Sequence, residues 1–278
     1  MLYNKSKVSI VIPAKNEAEG LAKILKSIKQ YADEIIVVDG HSNDGSRKIA
    51  LENGAKFILD HKKGRGDAVK IGLRRAKNEI IVLFDADGSH RASDIPKLVR
   101  PILEDKADIV IGSRRTGGSF DLNMSFAGIL RSGGADFLAY MVNKRFKTGL
   151  SDILYSFRAV KKSSVKDLDL KANDFCIEQE MVVKSLKNSV RLLEIPTREN
   201  ARGWGKSKLK TITGIKFIFH LFLSPLYVKA IAMAGIIGVK YLAKSSSSGV
   251  GLKESTKPTE RTLHKRQIFI SLELCLFL

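Results

Sequence analysis

Five continuous apolar runs, each followed by an amphipathic or polar stretch, constrain this chain more than any other feature. They are VSIVIP (8–13), EIIVVD (34–39), AKFIL (55–59), EIIVLFD (79–85) and DIVIGS (108–113). Runs without polar alternation suit central parallel strands covered on both faces. The intervening segments read as helices. Residues 19–28 place Leu21, Ile24, Leu25 and Ile28 on one stripe, and residues 68–76 do the same with Val69, Leu73 and Ala76. Residues 93–103 open with Ser93 as a cap and carry Pro96 in the first turn, a position where proline is tolerated. This β-α-β-α order predicts an α/β fold built on a doubly wound, mostly parallel sheet. Ligands of such sheets bind beyond the carboxyl ends of the strands.

The predicted strand ends are polar. Strand one ends in Pro13-Ala14-Lys15-Asn16-Glu17, strand two in Asp39-Gly40-His41-Ser42, strand four in Asp85-Ala86-Asp87 and strand five in Gly112-Ser113-Arg114-Arg115. Two carboxylates at the end of a buried strand are costly unless a cation neutralises them. A hard divalent cation, keeping phosphate oxygens among its ligands, is one reading of Asp85 and Asp87. An Asx-rich turn before a helix is the other, since Asp-Gly is a common turn pair. Gly64-Arg65-Gly66 suggests a loop whose glycines let an anion approach a helix start, and a plain turn fits equally. There is no Gly-x-Gly-x-x-Gly after strand one and no Walker phosphate loop, which argues against dinucleotide and P-loop folds.

Beyond Arg114 the alternation loosens. The pattern predicts a helix over 126–146, a strand over 157–160, a helix over 177–187 and a strand over 191–196. The formal net charge of +19 is uneven: residues 201–278 hold 13 Lys/Arg against 3 Asp/Glu, with no acidic residue before Glu254. Residues 210–244 are apolar and basic, but Lys216, Lys229 and Lys240 interrupt them. No uncharged run there reaches the roughly 18 residues of a simple membrane span. Interfacial helices with snorkelling lysines are expected, with core-packing helices as the competing account. Residues 245–278 read as a flexible tail. Two cysteines, Cys176 and Cys275, form no zinc motif or disulfide framework and suit a reducing compartment. The N-terminus lacks a signal-peptide pattern. A basic nucleic-acid binder is disfavoured, because the aromatics, 7% of residues, lie mostly in apolar runs rather than on a basic face.

The motifs PAKNE, DGHSNDGS, DADGS and IGSRR, with DILYSFR (152–158), FCIEQEM (175–181), EIP (194–196) and RGWGKSKL (202–209), together resemble family 2 glycosyltransferases of the GT-A fold. The polyprenyl-phosphate branch, which includes dolichyl-phosphate sugar synthases, is the most similar, and archaeal members above all. The resemblance spans about residues 7 to 240. It implies a GT-A domain over 1–209, a C-terminal membrane-associated helical segment over 210–244, and attachment to the cytoplasmic face of the cell membrane. The implied reaction is inverting transfer from a UDP- or GDP-sugar to a polyprenyl phosphate, with a divalent metal, Mg²⁺ or Mn²⁺.

The resemblance also assigns residues. Pro13, Ala14, Glu17 and Asp39 match positions that hold the nucleoside; Arg65 joins the expected donor-binding set through its Gly64-Arg65-Gly66 loop, not through the resemblance. Asp85 and Asp87 match the metal pair, Asp87 being the principal ligand. Arg114 and Arg131 match positions that meet the acceptor phosphate. Arg202 and Lys208 match a basic loop that closes over phosphates, and Glu178 and Glu180 match an acidic pair near the acceptor. This chain departs from the pattern at Ser89, where many members have glutamine, at Tyr155-Ser156, where Ser-Gly is usual, and at His41, where aspartate is commoner. Alternatives are a family member with a soluble or glycan acceptor, and a sugar-1-phosphate nucleotidyltransferase, which would need a glycine-rich loop that PAKNEAEG does not supply.

Overall fold

The computed structural model describes residues 4–119, 126–205 and 217, with the backbone alone for 126–131. These residues all fall in one compact unit, Met1–Ile218. The expected membrane-associated segment apart from Phe217, the tail and Lys208 lie outside the described residues.

The first half alternates as its sequence dictates: β1 (Val8–Ala14), α1 (Ala18–Ile28), β2 (Glu34–Asp39), α2 (Ser46–Glu52), β3 (Lys56–Leu59), α3 (Arg65–Arg75), β4 (Ile80–Leu83), α4 (Ile95–Leu103) and β5 (Ile109–Ser113). There follow α5 (Arg114–Gly117), α6 (Phe126–Phe146), β6 (Arg158–Lys161), α7 (Lys162–Lys166), α8 (Ile177–Lys187) and β7 (Leu192–Pro196). The seven strands form one sheet in the order β3-β2-β1-β4-β6-β5-β7.

Burial explains the apolar runs. Val8, Ile10, Val11 and Ile12 of β1 are fully buried, as are Ile81 and Val82 of β4 and Ile109, Val110 and Ile111 of β5. Both faces of these strands are covered, and each such side chain contributes roughly 1.5–3 kcal/mol on burial. The α1 stripe, Leu21, Ile24, Leu25 and Ile28, packs into the same core.

Two features of topology build the site. All neighbouring strands are parallel except β6, which runs antiparallel between β4 and β5 and sets Arg158 opposite Leu83. A reversed strand begins where its parallel neighbours end, so residues just before Arg158 arrive at the carboxyl edge. Strand β7 pairs with β5 in parallel, Ser113 opposite Pro196, which delivers residues 197–205 to that edge too.

The start of α4 differs from expectation. A 3-10 turn occupies Ala92–Asp94 and the α-helix begins at Ile95. Ser93 lies inside that turn and is no cap, whereas Pro96 sits in the first helical turn as expected. Helices α2, α5 and α7 have seven, four and five residues, too few for a periodic signal. Among the described residues, no helix is long and apolar enough to cross a membrane.

Candidate active site

The Asp85-Ala86-Asp87 segment leaves the sheet directly after β4, with Phe84 still donating its backbone N–H to Val11. Gly88 turns the chain at φ 81°. Ser89 then donates from both its backbone N–H (3.0 Å) and its hydroxyl (2.7 Å) to Asp87 Oδ1. The Asx-type turn is therefore real. It occupies one oxygen of Asp87, and Arg202 Nη2 reaches the other, Oδ2, at 2.8 Å.

Asp85 is held from three directions. Arg65 Nη2 donates to Oδ1 at 2.7 Å, and the Ser156 hydroxyl donates to Oδ2 at 2.7 Å. The Asp85 backbone N–H donates to His90 Nδ1 at 3.0 Å. That bond assigns the proton of the neutral imidazole to Nε2, which lies 3.2 Å from Ser156 Oγ. Ser156 thus accepts from His90 and donates to Asp85. Burial pushes the His90 imidazole down, more than the neighbouring aspartates restore, so it stays neutral at physiological pH. Its ring stacks on Phe157 at 4.5 Å and meets Phe84 and Tyr155 edge-on. Burial opposes the charge of Asp85, but Arg65, with His90 and the Ser156 hydroxyl, outweighs it and keeps the carboxyl below the usual aspartate range.

Arg65 also donates through Nε to Glu178 Oε1 at 3.0 Å, bridging two carboxylates. Burial disfavours its charge, and Asp85 with Glu178 more than compensate, so its pKa rises. The glycines around it decide between the two readings of this loop. A Cβ on Gly66 would lie 2.5 Å from Ala172 O, and one on Gly64 would lie 2.7 Å from Asn173 O. The Gly66 N–H donates to Asn173 O at 2.8 Å. Close approach here is to the protein's own 172–174 loop, so the helix start is already capped and offers no amide cradle to an anion. What the loop delivers is the Arg65 side chain.

Arg114 forms a bidentate pair with Asp152, Nε at 2.7 Å and Nη2 at 3.1 Å, and its Nη1 lies 3.6 Å from Glu199. Its guanidinium lies 4.6 Å from the centre of the Tyr155 ring. Asp152 is itself fixed by Glu194, which accepts from the backbone N–H groups of Ser151 and Asp152. Tyr155 is 2% exposed, and its hydroxyl has no partner among the described residues. Burial, with Glu199 next, pushes that phenol far up.

At the ends of β1 and β2, Ala14 stands opposite Asp39 and Pro13 opposite Val38. Asp39 is 1% exposed and accepts from the Ser42 backbone N–H (2.7 Å) and hydroxyl (2.6 Å). Ser42 Oγ accepts in turn from the Asn16 N–H at 2.7 Å. Glu17 precedes α1, its backbone N–H 3.4 Å from Ser46 Oγ. The four nucleoside-side candidates therefore lie together on the two strand ends.

The acidic pair does not act as one. Glu178 faces Arg65, whereas the Glu180 carboxylate accepts from the backbone of Lys171 and Ala172 (2.7–2.9 Å) and pairs with Lys184 at 2.8 Å. Two positions apart on α8, the side chains leave on different faces, and Glu180 holds the 171–172 loop. For Arg131 the structure gives only the backbone of α6. Sequence reasoning singled out none of Asp152, Ser156, Arg158, His90 or Glu199 as a site residue. Arg158 is fully buried, donating to Glu178 O at 3.1 Å and Tyr155 O at 2.5 Å. Burial lowers its pKa to about 10, so it remains a cation. The FRA motif was the available signal.

The donor set fits a hard divalent cation in part. Among the described residues no three His, Cys, Asp or Glu side chains converge. The protein offers the Asp87 carboxylate, with Asp85 and the Ser89 hydroxyl beside it, and Arg202 stands on Asp87 as a positive charge. An oxygen-poor site of this kind suits an ion that takes its remaining ligands from substrate phosphates and water.

Aspartates and arginines interleaved at the carboxyl edge of a mostly parallel mixed sheet define the class, an α/β protein of GT-A fold. The glycosyl transferase family 2 profile matches residues 9–169, more than half the chain, and this protein belongs to that family of glycosyltransferases. An uncharacterised protein of Methanocaldococcus jannaschii is 31% identical over 81% of this chain and 94% of its own length. Glycosyltransferase AglJ of Haloferax volcanii is 32% identical over 68% of this chain, and the dolichol-phosphate mannosyltransferase of Pyrococcus furiosus is 31% identical over 78%. The chain spans 62% and 63% of the length of those two relatives. They bear out the resemblance to the polyprenyl-phosphate branch and its archaeal members. Among solved structures, glucosyl-3-phosphoglycerate synthase of Mycobacterium tuberculosis, in complex with Mn²⁺, UDP and phosphoglyceric acid, superposes with a TM-score of 0.63. It is 18% identical, and 78% of each chain is covered.

Proposed function

We propose that this protein transfers a sugar from a UDP- or GDP-sugar to the phosphate of a polyprenyl phosphate, with inversion, at the cytoplasmic face of the cell membrane. The observation that carries the reading is an aspartate turn, Asp85 and Asp87, paired with Arg65 and Arg202, at the sheet edge where Arg114 pairs with Asp152. Two phosphorylated substrates need such a set.

The nucleoside would lie on Pro13, Ala14, Glu17 and Asp39, over the ends of β1 and β2. Asp87, with Asp85 and Ser89, would hold Mg²⁺ or Mn²⁺. When bound, that ion supplies positive charge to the leaving diphosphate. Arg202 with Lys208 would close on the diphosphate, while Arg114 and Arg131 would meet the acceptor. Arg65 orients Asp85 and ties it to Glu178. A phosphate monoester has a second pKa near 6, so its oxygen arrives as an anion and needs little help from a general base. That oxygen attacks the anomeric carbon as the bond to the diphosphate breaks, and the nucleoside diphosphate leaves with the electron pair. The protein's contribution is alignment and charge.

The lipid acceptor is supported by the names of the archaeal relatives and by the acid-free apolar segment 211–244. Anionic lipid headgroups would attract its lysines. The test incubates the protein with radiolabelled UDP- and GDP-sugars, Mn²⁺ and polyprenyl phosphate, then extracts with organic solvent. Label in the lipid phase, lost in Asp87→Ala, is the expected result. Label transferred only to water-soluble phosphorylated or glycan acceptors would replace this reading with the soluble-acceptor one.

A further inference from the structure

Trp204 is the only tryptophan in the chain, and its indole fills a slot that two glycines leave open. A Cβ on Gly20, in the first turn of α1, would lie 1.8 Å from Trp204 Cε2, and one on Gly88 would lie 2.8 Å from its Cη2. The indole N–H donates to Ala86 O at 3.0 Å. The same loop is stitched to the aspartate turn by its backbone. Gly203 donates to Asp87 O and Asn200 to Ser89 O, each at 2.9 Å. Arg202, held between these attachments, places Nη2 2.8 Å from Asp87 Oδ2. Glycine within a helix costs roughly 0.5–1 kcal/mol relative to alanine, and the indole occupies the space this residue leaves.

From this geometry we infer that Trp204 is a positioning residue: it keys the 200–205 loop into the Gly20–Gly88 slot and thereby fixes Arg202 over the aspartate turn. The inference rests on the proposed reading of that turn as the diphosphate site. An Arg side chain carries substantial rotamer entropy, and a docked backbone on both sides of it removes part of the ordering that ligand binding would otherwise require. Trp204 itself needs to touch no substrate. Its effect reaches the diphosphate through Arg202.

The test uses the full-length protein and reads emission from the single tryptophan. Gly20→Ala should shift that emission to that of a solvent-exposed indole without any ligand. With Mn²⁺ present, the Kd for UDP or GDP should rise about tenfold in both Gly20→Ala and Trp204→Ala, the scale of one charge-assisted hydrogen bond. The double variant Gly20→Ala/Trp204→Ala should bind no more weakly than Trp204→Ala alone, because Gly20 acts only through the indole. Trp204→Ala adds no atoms and carries the binding test even if Gly20→Ala fails to fold. Unmoved emission in a folded Gly20→Ala, additive losses in the double variant, or full nucleotide affinity in Trp204→Ala each overturn the inference. A wild-type protein that binds no nucleoside diphosphate overturns the proposed function and this role with it. Wild-type binding that persists undiminished in both single variants overturns this role alone.

Discussion

Replacing Arg65 by methionine, which keeps the apolar stem and removes the charge, strands two carboxylates at once. Arg65 donates to Asp85 at 2.7 Å and to Glu178 at 3.0 Å, and the three side chains are 15%, 19% and 4% exposed. A hydrogen bond to a charged group is worth about 1.5–3 kcal/mol, and removing one partner of a buried pair costs about 3–5 kcal/mol. Partial exposure of Asp85 favours the lower end, so Arg65→Met should lose about 3 kcal/mol in urea unfolding at pH 7 with chelator present. The loss should depend on pH. In the native protein Arg65 holds Asp85 below its ordinary pKa, so its stabilisation is present above the unfolded value and fades as pH falls through the folded one. Without Arg65, burial raises the same carboxyl, which then protonates readily. The deficit should therefore be largest near neutrality and shrink toward pH 4. Arg65→Met/Glu178→Gln should recover part of it, since one orphan charge is gone. A deficit under about 1 kcal/mol, or one equal at pH 7 and pH 4, would refute the bridging role of Arg65 between two buried carboxylates.

Tyr155→Phe should stabilise the ligand-free protein by about 1 kcal/mol and so raise its unfolding midpoint, because it deletes a buried hydroxyl with no partner among the described residues; a lowered midpoint would show that the phenol is satisfied. Glu180→Gln should destabilise the protein at neutral pH, because the native carboxyl is held low by Lys184 and by the Ala172 and Lys171 amides, against the effect of burial. That contribution is present above the ordinary glutamate pKa and lost as pH falls through the lowered folded one, so thermal scans of the two proteins should converge below about pH 4. Convergence at neutral pH instead would mean that the 171–172 loop does not need the charge.

The strands were legible because burial on both faces leaves a mark that no local turn imitates: Val8 to Ile12 or Ile109 to Ile111 have nowhere to go except a sheet interior. The direction of β6 was not legible. Its four residues, RAVK, carry no information on whether they pair in parallel, yet the reversal is what brings Ser156 to Asp85. The Gly64-Arg65-Gly66 loop stayed open between an anion-facing loop and a plain turn for a related reason. Sequence shows that glycine permits a close approach but not to what, and here the neighbour is Asn173 of the same chain. Glu178 and Glu180 were visible as an acidic pair, although helical geometry alone separates residues two apart. His90 and Ser156 matter through a hydrogen-bond path across 66 positions, which no local pattern encodes.

Charge balance bears on the proposed cation. Around the aspartate turn the described residues place Arg65, Arg114, Arg158 and Arg202 among Asp85, Asp87, Asp152, Glu178 and Glu199. Four positive groups against five negative ones, with His90 neutral, leave the ligand-free cluster negative. Three of those arginines already face carboxylates, so they are oriented but not spare. Two unit charges 4 Å apart repel by about 4 kcal/mol at an effective dielectric near 20, and a diphosphate brings more than one. On the proposed reading, positive charge would enter with the donor, from a divalent ion on Asp87 and from Lys206 and Lys208, which follow Gly205 in the sequence. Calorimetry can separate these contributions from the nucleoside contacts. Chelator should abolish measurable binding of UDP or GDP while leaving the weak binding of the matching nucleoside unchanged, since on the proposed reading Asp39 and its neighbours would carry that part. Nucleoside diphosphate that binds equally well in chelator would mean that the arginines suffice, and the assignment of Asp87 as a cation ligand would fall.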